Sequence, residues 1–378
     1  MDEYYMRQAL AISEYATGRT SPNPLVGAVI VKDGRIVGQG WHRQAGTPHA
    51  EIHALTQAGD LAKDATIYVT LEPCSHHGRT GPCADALIAA GIKKTVVAMT
   101  DPNPLVAGNG LKKLKAAGIE VVEGVLAAEA AKQNEVFIKW ISTGLPFGIL
   151  KTAMSLDGKI AAYTGHSQWI TGPAAREQVH KLRDTHDAIL VGIGTVLADN
   201  PQLTARLPQG GKNPVRIIID SLARTPLTAN VVADKEAPTI IAVSQAAPVE
   251  RIAALRNRGV EVLEIDSMQS GINLRQLFTV LGERRISSIF IEGGTRINAA
   301  VLNANLIDKV YAFIAPKIIG GQTAPSPVGG EGIPSVDQAI SLEDVTTKNI
   351  GNDMLISGYI TRREGRDVYR TCGRIGKG

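Results

Sequence analysis

The sequence predicts an α/β protein: an α/β sandwich with a largely parallel sheet, followed by a second α/β series. Three observations carry this. β-rich runs alternate with apolar positions at helical spacing along the chain, the pattern of strand–helix units. The series breaks and restarts at Ser142-Thr143-Gly144-Leu145-Pro146, whose Gly and Pro mark a domain boundary. The chain has 378 residues, 44% hydrophobic and 20% charged, enough for two or three cores.

Taken in order, Met6, Ala9, Leu10, Ile12 and Ala16 predict a helix over 3–17 that stops at Gly18. Strands are expected over 26–31 and 36–41, joined through Asp33-Gly34, a strong hairpin signal. A helix over 51–58 follows, then a β-rich run over 66–71 ending at Glu72-Pro73, then a helix over 84–90 closed by Gly91. A strand over 94–99, a helix over 111–117, a strand over 119–122 and one helix over 126–140 complete a first domain, 1–145. The second domain, 146–361, offers strands at 147–154, 188–191, 215–219, 239–243, 260–265, 288–291, 309–314 and 354–360. Helical patterns at 173–183, 249–256, 274–281 and 297–304 lie between them.

Composition narrows the function classes. The formal net charge is +4, and residues 362–378, with six basic against two acidic side chains, account for the excess. The remainder is formally neutral, so the sequence pI of 8.9 reads as a solvated, flexible basic tail rather than a nucleic-acid surface. No apolar run suggests a membrane span, and the N-terminus lacks the pattern of a secretory signal, so a cytoplasmic protein is expected. Three cysteines argue against a disulfide scaffold. Cys372, in the tail, is given no function.

The other two cysteines carry chemistry. His49-Ala50-Glu51, Pro73-Cys74 and Cys83 form the order H-x-E, P-C, then C after eight residues. A lone His-x-Glu is ordinarily surface chemistry, but an imidazole and two thiolates suit Zn²⁺. Three protein ligands, His49, Cys74 and Cys83, leave a fourth position for water, which zinc acidifies. Glu51 would then move protons from water to a leaving amine, the arrangement of a zinc deaminase. Pro48 and Pro82 are expected to open helices, putting His49 and Cys83 at helix starts, where partial positive charge favours thiolate. Residues two apart do not share a regular helix face, so His49 and Glu51 converge only if His49 sits at the very start of its helix. His53 reads as packing or a supporting group, and His76 and His77 as loop polar groups.

No G-x-G-x-x-G is present; Val191-Gly192-Ile193-Gly194-Thr195 has two of the glycines. The best phosphate cradle is Glu292-Gly293-Gly294-Thr295, between a strand and a helix whose free amides suit a pyrophosphate.

With these residues in hand, the chain resembles the bifunctional deaminase–reductase family of riboflavin biosynthesis over residues 1–361. The motifs are Asn23-Pro24-Leu25-Val26-Gly27, Pro48-His49-Ala50-Glu51, the run from Val69 through Cys74 to Thr80, and Asp101-Pro102-Asn103-Pro104. The second half adds Lys151 to Gly158, Ser167-Gln168-Trp169-Ile170-Thr171 and Val196-Leu197-Ala198-Asp199-Asn200-Pro201. Gly81 stands where the family commonly has Pro, and the tail has no family counterpart.

The resemblance implies a cytidine-deaminase-like α/β/α domain followed by a dihydrofolate-reductase-like α/β domain. It implies two reactions: hydrolytic deamination of 2,5-diamino-6-ribosylamino-4-pyrimidinone 5′-phosphate, then NADPH-dependent reduction of the ribosyl group to ribityl. Asn23 is implied to contact the pyrimidine. Ala153, Trp169, Thr195, Asp199, Ser221 and the run Gly294, Thr295, Arg296, Ile297, Asn298, Ala299 and Ala300 are implied to contact NADP. Ser167, Arg183, Leu203, Arg206 and Glu292 are implied to contact substrate, with Lys151 beside them. Arg183 and Arg206 suit a phosphate, Ser221 and Arg224 suit the 2′-phosphate of NADPH, and Lys151 and Asp199 are candidates to assist protonation. The family commonly assembles, so a homo-oligomer without nucleic-acid or membrane partners is expected. Two rival readings stand beside this one: a deaminase of another base or nucleoside with a merely ligand-binding second domain, and a non-enzymatic zinc-stabilised module.

Overall fold

A computed structural model of the protein describes residues 1–75, 81–103, 107–268 and 271–361. The tail with Cys372, and the loop residues His76 and His77, lie outside the described residues. The chain divides into two compact units, Met1–Leu145 and a second beginning at Pro146.

The first unit runs α1 (Asp2–Ser13), β1 (Gly27–Lys32), β2 (Arg35–Trp41), α2 (Ala50–Ala58), β3 (Thr66–Val69), α3 (Cys83–Ala89), β4 (Lys94–Val97), α4 (Asn109–Ala116), β5 (Glu120–Glu123), α5 (Ala127–Gln133) and α6 (Glu135–Thr143). Its sheet has the order β2-β1-β3-β4-β5. The expectation of a largely parallel sheet is corrected here: β1 pairs antiparallel with both β2 and β3, and only β3-β4-β5 are parallel. The Asp33-Gly34 hairpin enforces the first antiparallel pair, with Asp33 and Gly34 at φ 50° and 74°. Both sheet faces are covered, which is why the strands read as apolar runs. Ala28, Ile30, Ile67 and Val69 pack with α2, α3 and α4, while Val29, Val31, Tyr68 and Val96 pack with α1, α5 and α6.

Two local expectations also change. The single helix expected over 126–140 is two, broken at Asn134, whose φ is −105° and ψ 20°. The Asn134 side chain accepts from the Leu25 amide at 2.8 Å and donates to its carbonyl at 3.0 Å, so a long-range contact overrides the helical pattern. Pro48 and Pro82 do not sit inside their helices: His49 is the N-cap of α2 and Pro82 that of α3.

The second unit contains β6 (Phe147–Ser155), α7 (Pro173–Thr185), β7 (Ala188–Gly192), α8 (Ile193–Asp199), β8 (Val215–Ile219), α9 (Asn230–Ala233), β9 (Thr239–Ser244), α10 (Val249–Asn257), β10 (Glu261–Ile265), the short pair β11 (Ser267–Met268) and β12 (Gly271–Ile272), α11 (Leu274–Glu283), β13 (Ser288–Ile291), α12 (Thr295–Asn303), β14 (Lys309–Ala315), β15 (Leu342–Ile350) and β16 (Asp353–Ile360). A nine-stranded sheet has the order β10-β9-β8-β7-β13-β6-β14-β16-β15, parallel from β10 to β14 and antiparallel at β16 and β15. Strands β7, β9 and β13, each paired on both sides, are buried at every residue. Periodicity missed β15, an edge strand exposed along nearly its whole length, and α8, which starts directly at the end of β7. No described helix is long and apolar enough to cross a membrane.

Candidate functional site

Helix α2 lies directly on β2 because two glycines open the way. A Cβ at Gly38 would stand 2.2 Å from the Ala54 carbonyl oxygen, and one at Gly40 2.5 Å from that of Ala50. This seats the start of α2 against the sheet. His49, as N-cap, has extended φ −76° and ψ 167°, while Glu51 is already helical. The change of backbone conformation between them lets both side chains turn to one place, resolving the difficulty of their spacing.

There His49 Nδ1 lies 3.3 Å from Cys83 Sγ and 3.6 Å from Cys74 Sγ. One donor atom from each of these three residues lies within 4.8 Å of the others. The Cys83 amide donates to Cys74 Sγ at 3.3 Å, and the Ala84 amide to the Cys74 carbonyl at 3.1 Å. The Cys83 thiol and amide, with the His49 ring, hold the Cys74 thiol below its ordinary range, against the effect of burial. Glu51 is 3% exposed, and its Oε2 has no hydrogen-bond partner among the described residues. Burial pushes its carboxyl up to about 7, despite the neighbouring His49. Two thiols, one imidazole and an unsatisfied buried carboxyl fit a zinc ion with an open position.

Residue patterning missed three supporting residues. His42, 3% exposed, places Nδ1 3.3 Å from the Pro48 carbonyl and Nε2 3.1 Å from Asn23 Nδ2. The Pro48 carbonyl requires Nδ1–H, so Nε2 accepts from the Asn23 amide and sets which end of it faces the site. Asn134 holds Leu25, two residues on. Glu72 is 6% exposed, and its carboxylate accepts the amides of Asp101 (3.1 Å), Gly108 (2.9 Å), Gly110 (2.8 Å) and Leu111 (3.4 Å). Gly110 meets the next residue as well: a Cβ there would stand 2.0 Å from the Pro73 carbonyl oxygen. The segment carrying Cys74 is thus fixed to the start of α4. His53 does not join the cluster, and its Nε2 is buried without a described partner.

The second unit holds a cavity of about 1510 Å³. Lys151, Ala153, Ser167, Trp169, Arg183, Thr195, Asp199, Leu203, Arg206, Ser221, Arg224 and Glu292 line it, with Gly294, Thr295, Arg296, Ile297, Asn298 and Ala300 from the start of α12. Ala299, in the same run, is buried and does not line it. Thr195 and Asp199 lie one turn apart on α8, a spacing that gives them a common face. Glu292 is the hub. Arg183 Nε donates to it at 2.6 Å and Lys151 Nζ at 3.3 Å, while Arg183 Nη1 also donates to the Thr204 carbonyl at 3.1 Å. Burial alone would raise the Glu292 carboxyl, but the charges of Arg183 and Lys151 hold it at about 2. Arg206 donates to Gln202 Oε1 and Thr204 Oγ1 at 3.0 and 3.2 Å. Trp169, 62% exposed, carries the Arg176 guanidinium 4.6 Å over its ring, and Ser167 donates to Asp199 at 3.4 Å.

The phosphate cradle has its own signature. A Cβ at Gly293 would lie 2.7 Å from Ile297 Cγ2 and 2.8 Å from Asn298 Oδ1, so the chain passes close over α12. No described side chain caps α12, whose N-cap is Gly294, which leaves first-turn amides for an anion. These features fit a dinucleotide phosphate.

Comparison with known proteins finds matches to both units. Residues 1–99 match the cytidine and deoxycytidylate deaminase zinc-binding region, and residues 146–356 match the RibD C-terminal domain. The riboflavin biosynthesis protein RibD of Bacillus amyloliquefaciens is 44% identical over 371 residues, covering 98% of this chain and 100% of that one. That of Escherichia coli (strain K12) is 46% identical over 331 residues, covering 84% and 89%. The Acinetobacter baumannii RibD structure, form 1, has a TM-score of 0.87 at 40% identity and covers 96% of this chain and 99% of that one. A diaminohydroxyphosphoribosylaminopyrimidine deaminase/5-amino-6-(5-phosphoribosylamino)uracil reductase from Thermotoga maritima has a TM-score of 0.84 at 38% identity, covering 95% and 99%. The chain belongs to the RibD family of riboflavin biosynthesis, bifunctional enzymes that join a zinc-dependent pyrimidine deaminase to an NADPH-dependent pyrimidine reductase.

Proposed function

We propose that Glu51 carries the proton of the deamination and that His49, Cys74 and Cys83 hold its zinc. The observation that carries this reading is the buried Glu51 carboxyl, with one oxygen unsatisfied, beside three converging soft donors. Zinc supplies Lewis acidity there, and an open position for water. Glu51 takes a proton from the attacking water and passes it to the departing amine. A carboxyl near neutrality serves both directions. Asn23, oriented by His42, binds the pyrimidine edge.

In the reductase, Gly294 through Ala300 and the first-turn amides of α12 hold the cofactor's pyrophosphate. Ala153, Trp169, Thr195, Asp199 and Ser221 seat the rest of it. Ser221 and Arg224 read the 2′-phosphate. NADPH supplies the hydride. Arg206 and Arg183 face the substrate phosphate, with Ser167 and Leu203 beside them, and Glu292 keeps Arg183 and Lys151 in place. Lys151 is the proton source as hydride arrives; Asp199, paired with Ser167, assists. The reading divides the protein into a deaminase over 1–145, a reductase over 146–361 and a basic tail over 362–378. It also takes the enzyme to be a cytoplasmic homo-oligomer that handles neither nucleic acid nor membrane, in keeping with the near-neutral charge outside the tail.

Glu51→Ala and Cys74→Ser test the assignment in a coupled assay. Ammonia release from the diaminopyrimidine is expected to fall by a factor of about 10² or more. NADPH consumption with the pre-deaminated substrate is expected to stay at the level of the unmodified enzyme. Unchanged ammonia release in either variant would remove that residue from the site.

A further inference from the structure

Arg216 lies on β8 among Val215 and three isoleucines and is 1% exposed. A buried guanidinium carries a desolvation cost that an apolar residue of similar size would not, so its partners indicate what it does. Nη1 donates to Asp234 Oδ1 at 2.7 Å, Nη2 to the Ala237 carbonyl at 2.6 Å, and Nε to Thr239 Oγ1 at 2.9 Å. These three partners lie in the stretch leading into β9. The fourth does not: Nη1 also donates to the Gln202 carbonyl at 3.3 Å, in the loop after α8.

That loop runs through two left-handed residues that are not glycine, Asn200 at φ 43° and Leu203 at φ 57°. Such backbone persists only where its surroundings hold it. Gln202 stands between the two. Its side-chain oxygen accepts from Arg206 Nη1 at 3.0 Å, so the residue gripped by Arg216 through its carbonyl also orients the Arg206 guanidinium. Leu203 and Arg206 line the cavity; Arg216 does not.

We propose that Arg216 is a positioning residue of the reductase. It acts through Gln202 to hold Arg206 where the phosphorylated pyrimidine binds, without touching the substrate. The inference rests on the reading of Arg206 as a substrate-phosphate contact.

The test uses the full-length enzyme with Arg216→Met, Arg216→Lys, Arg206→Ala and the double variant Arg206→Ala/Arg216→Met. Lys keeps a charge beside Asp234 but lacks the fork that reaches Gln202, Ala237 and Thr239 together. Both Arg216 variants are expected to raise KM for the deaminated pyrimidine about tenfold, the factor given by roughly 1.4 kcal/mol. NADPH affinity, measured by direct titration, and ammonia release are expected to stay unchanged. Arg206→Ala is expected to raise KM likewise, and the double variant no further, because both changes act on one contact. An unchanged KM in both Arg216 variants would overturn the proposal, as would effects that multiply in the double variant. Parallel loss of NADPH affinity in Arg216→Lys would reduce Arg216 to a structural role. If Arg206→Ala itself leaves KM unchanged, the phosphate reading fails, and this proposal with it.

Discussion

Glu72 shows how much of a metal site rests on residues that do not touch the metal. Its carboxylate takes four backbone amides from one loop and the start of α4, and Cys74 follows two residues later. Glu72→Gln keeps the shape but turns one acceptor into a donor facing donors. It is expected to cost the first unit about 2 kcal/mol and to lower zinc content in the purified protein, measured by atomic absorption. Full zinc occupancy in a destabilised variant would separate Glu72 from the metal site. Glu292 makes a different prediction. Its folded-state carboxyl is held at about 2, below the ordinary 4.5, so its contribution to stability is complete above pH 4.5 and is lost as pH falls towards about 2. Glu292→Gln is expected to flatten the acid dependence of the reductase transition in that window while lowering stability at neutral pH. An unchanged acid limb would show that the pairs with Arg183 and Lys151 do not control it.

At the scale of elements, α2 matters most to the deaminase because its first turn carries His49 and Glu51. Gly40→Ala would press a methyl onto the Ala50 carbonyl and lift that turn. The expected result is destabilisation of about 1–3 kcal/mol together with weaker zinc binding, read by competition with a chromophoric chelator. Loss of stability with zinc affinity intact would mean the site tolerates movement of α2. Elements also mark where sequence reading succeeds. The convergence of His49, Cys74 and Cys83 was legible because each supplies its own soft donor in a specific order. The two-unit architecture was legible because buried strands and amphipathic helices carry their own periodicities. What escaped depends on distant partners. Asn134 interrupts a helical pattern only because Leu25 is there to be bound. Glu72 is satisfied by amides, which every sequence has. β15 is exposed on nearly all of its length and so has no alternation to read.

For the whole molecule, the account joins two chemistries that need different things from the protein. Deamination needs a metal held by soft donors and one buried carboxyl. In the proposed assignment, reduction uses a cradle of free amides and a hub of opposite charges around Glu292. The His49, Cys74 and Cys83 cluster belongs to the first unit and the cavity around Glu292 to the second. The two activities follow from family membership. The direct test is zinc removal and back-titration on one sample, following ammonia release from the diaminopyrimidine and NADPH oxidation with pre-deaminated substrate. Ammonia release is expected to fall in proportion to zinc content and return on re-addition, while NADPH oxidation stays constant. Parallel loss of both activities, or ammonia release that survives complete zinc removal, would contradict the account.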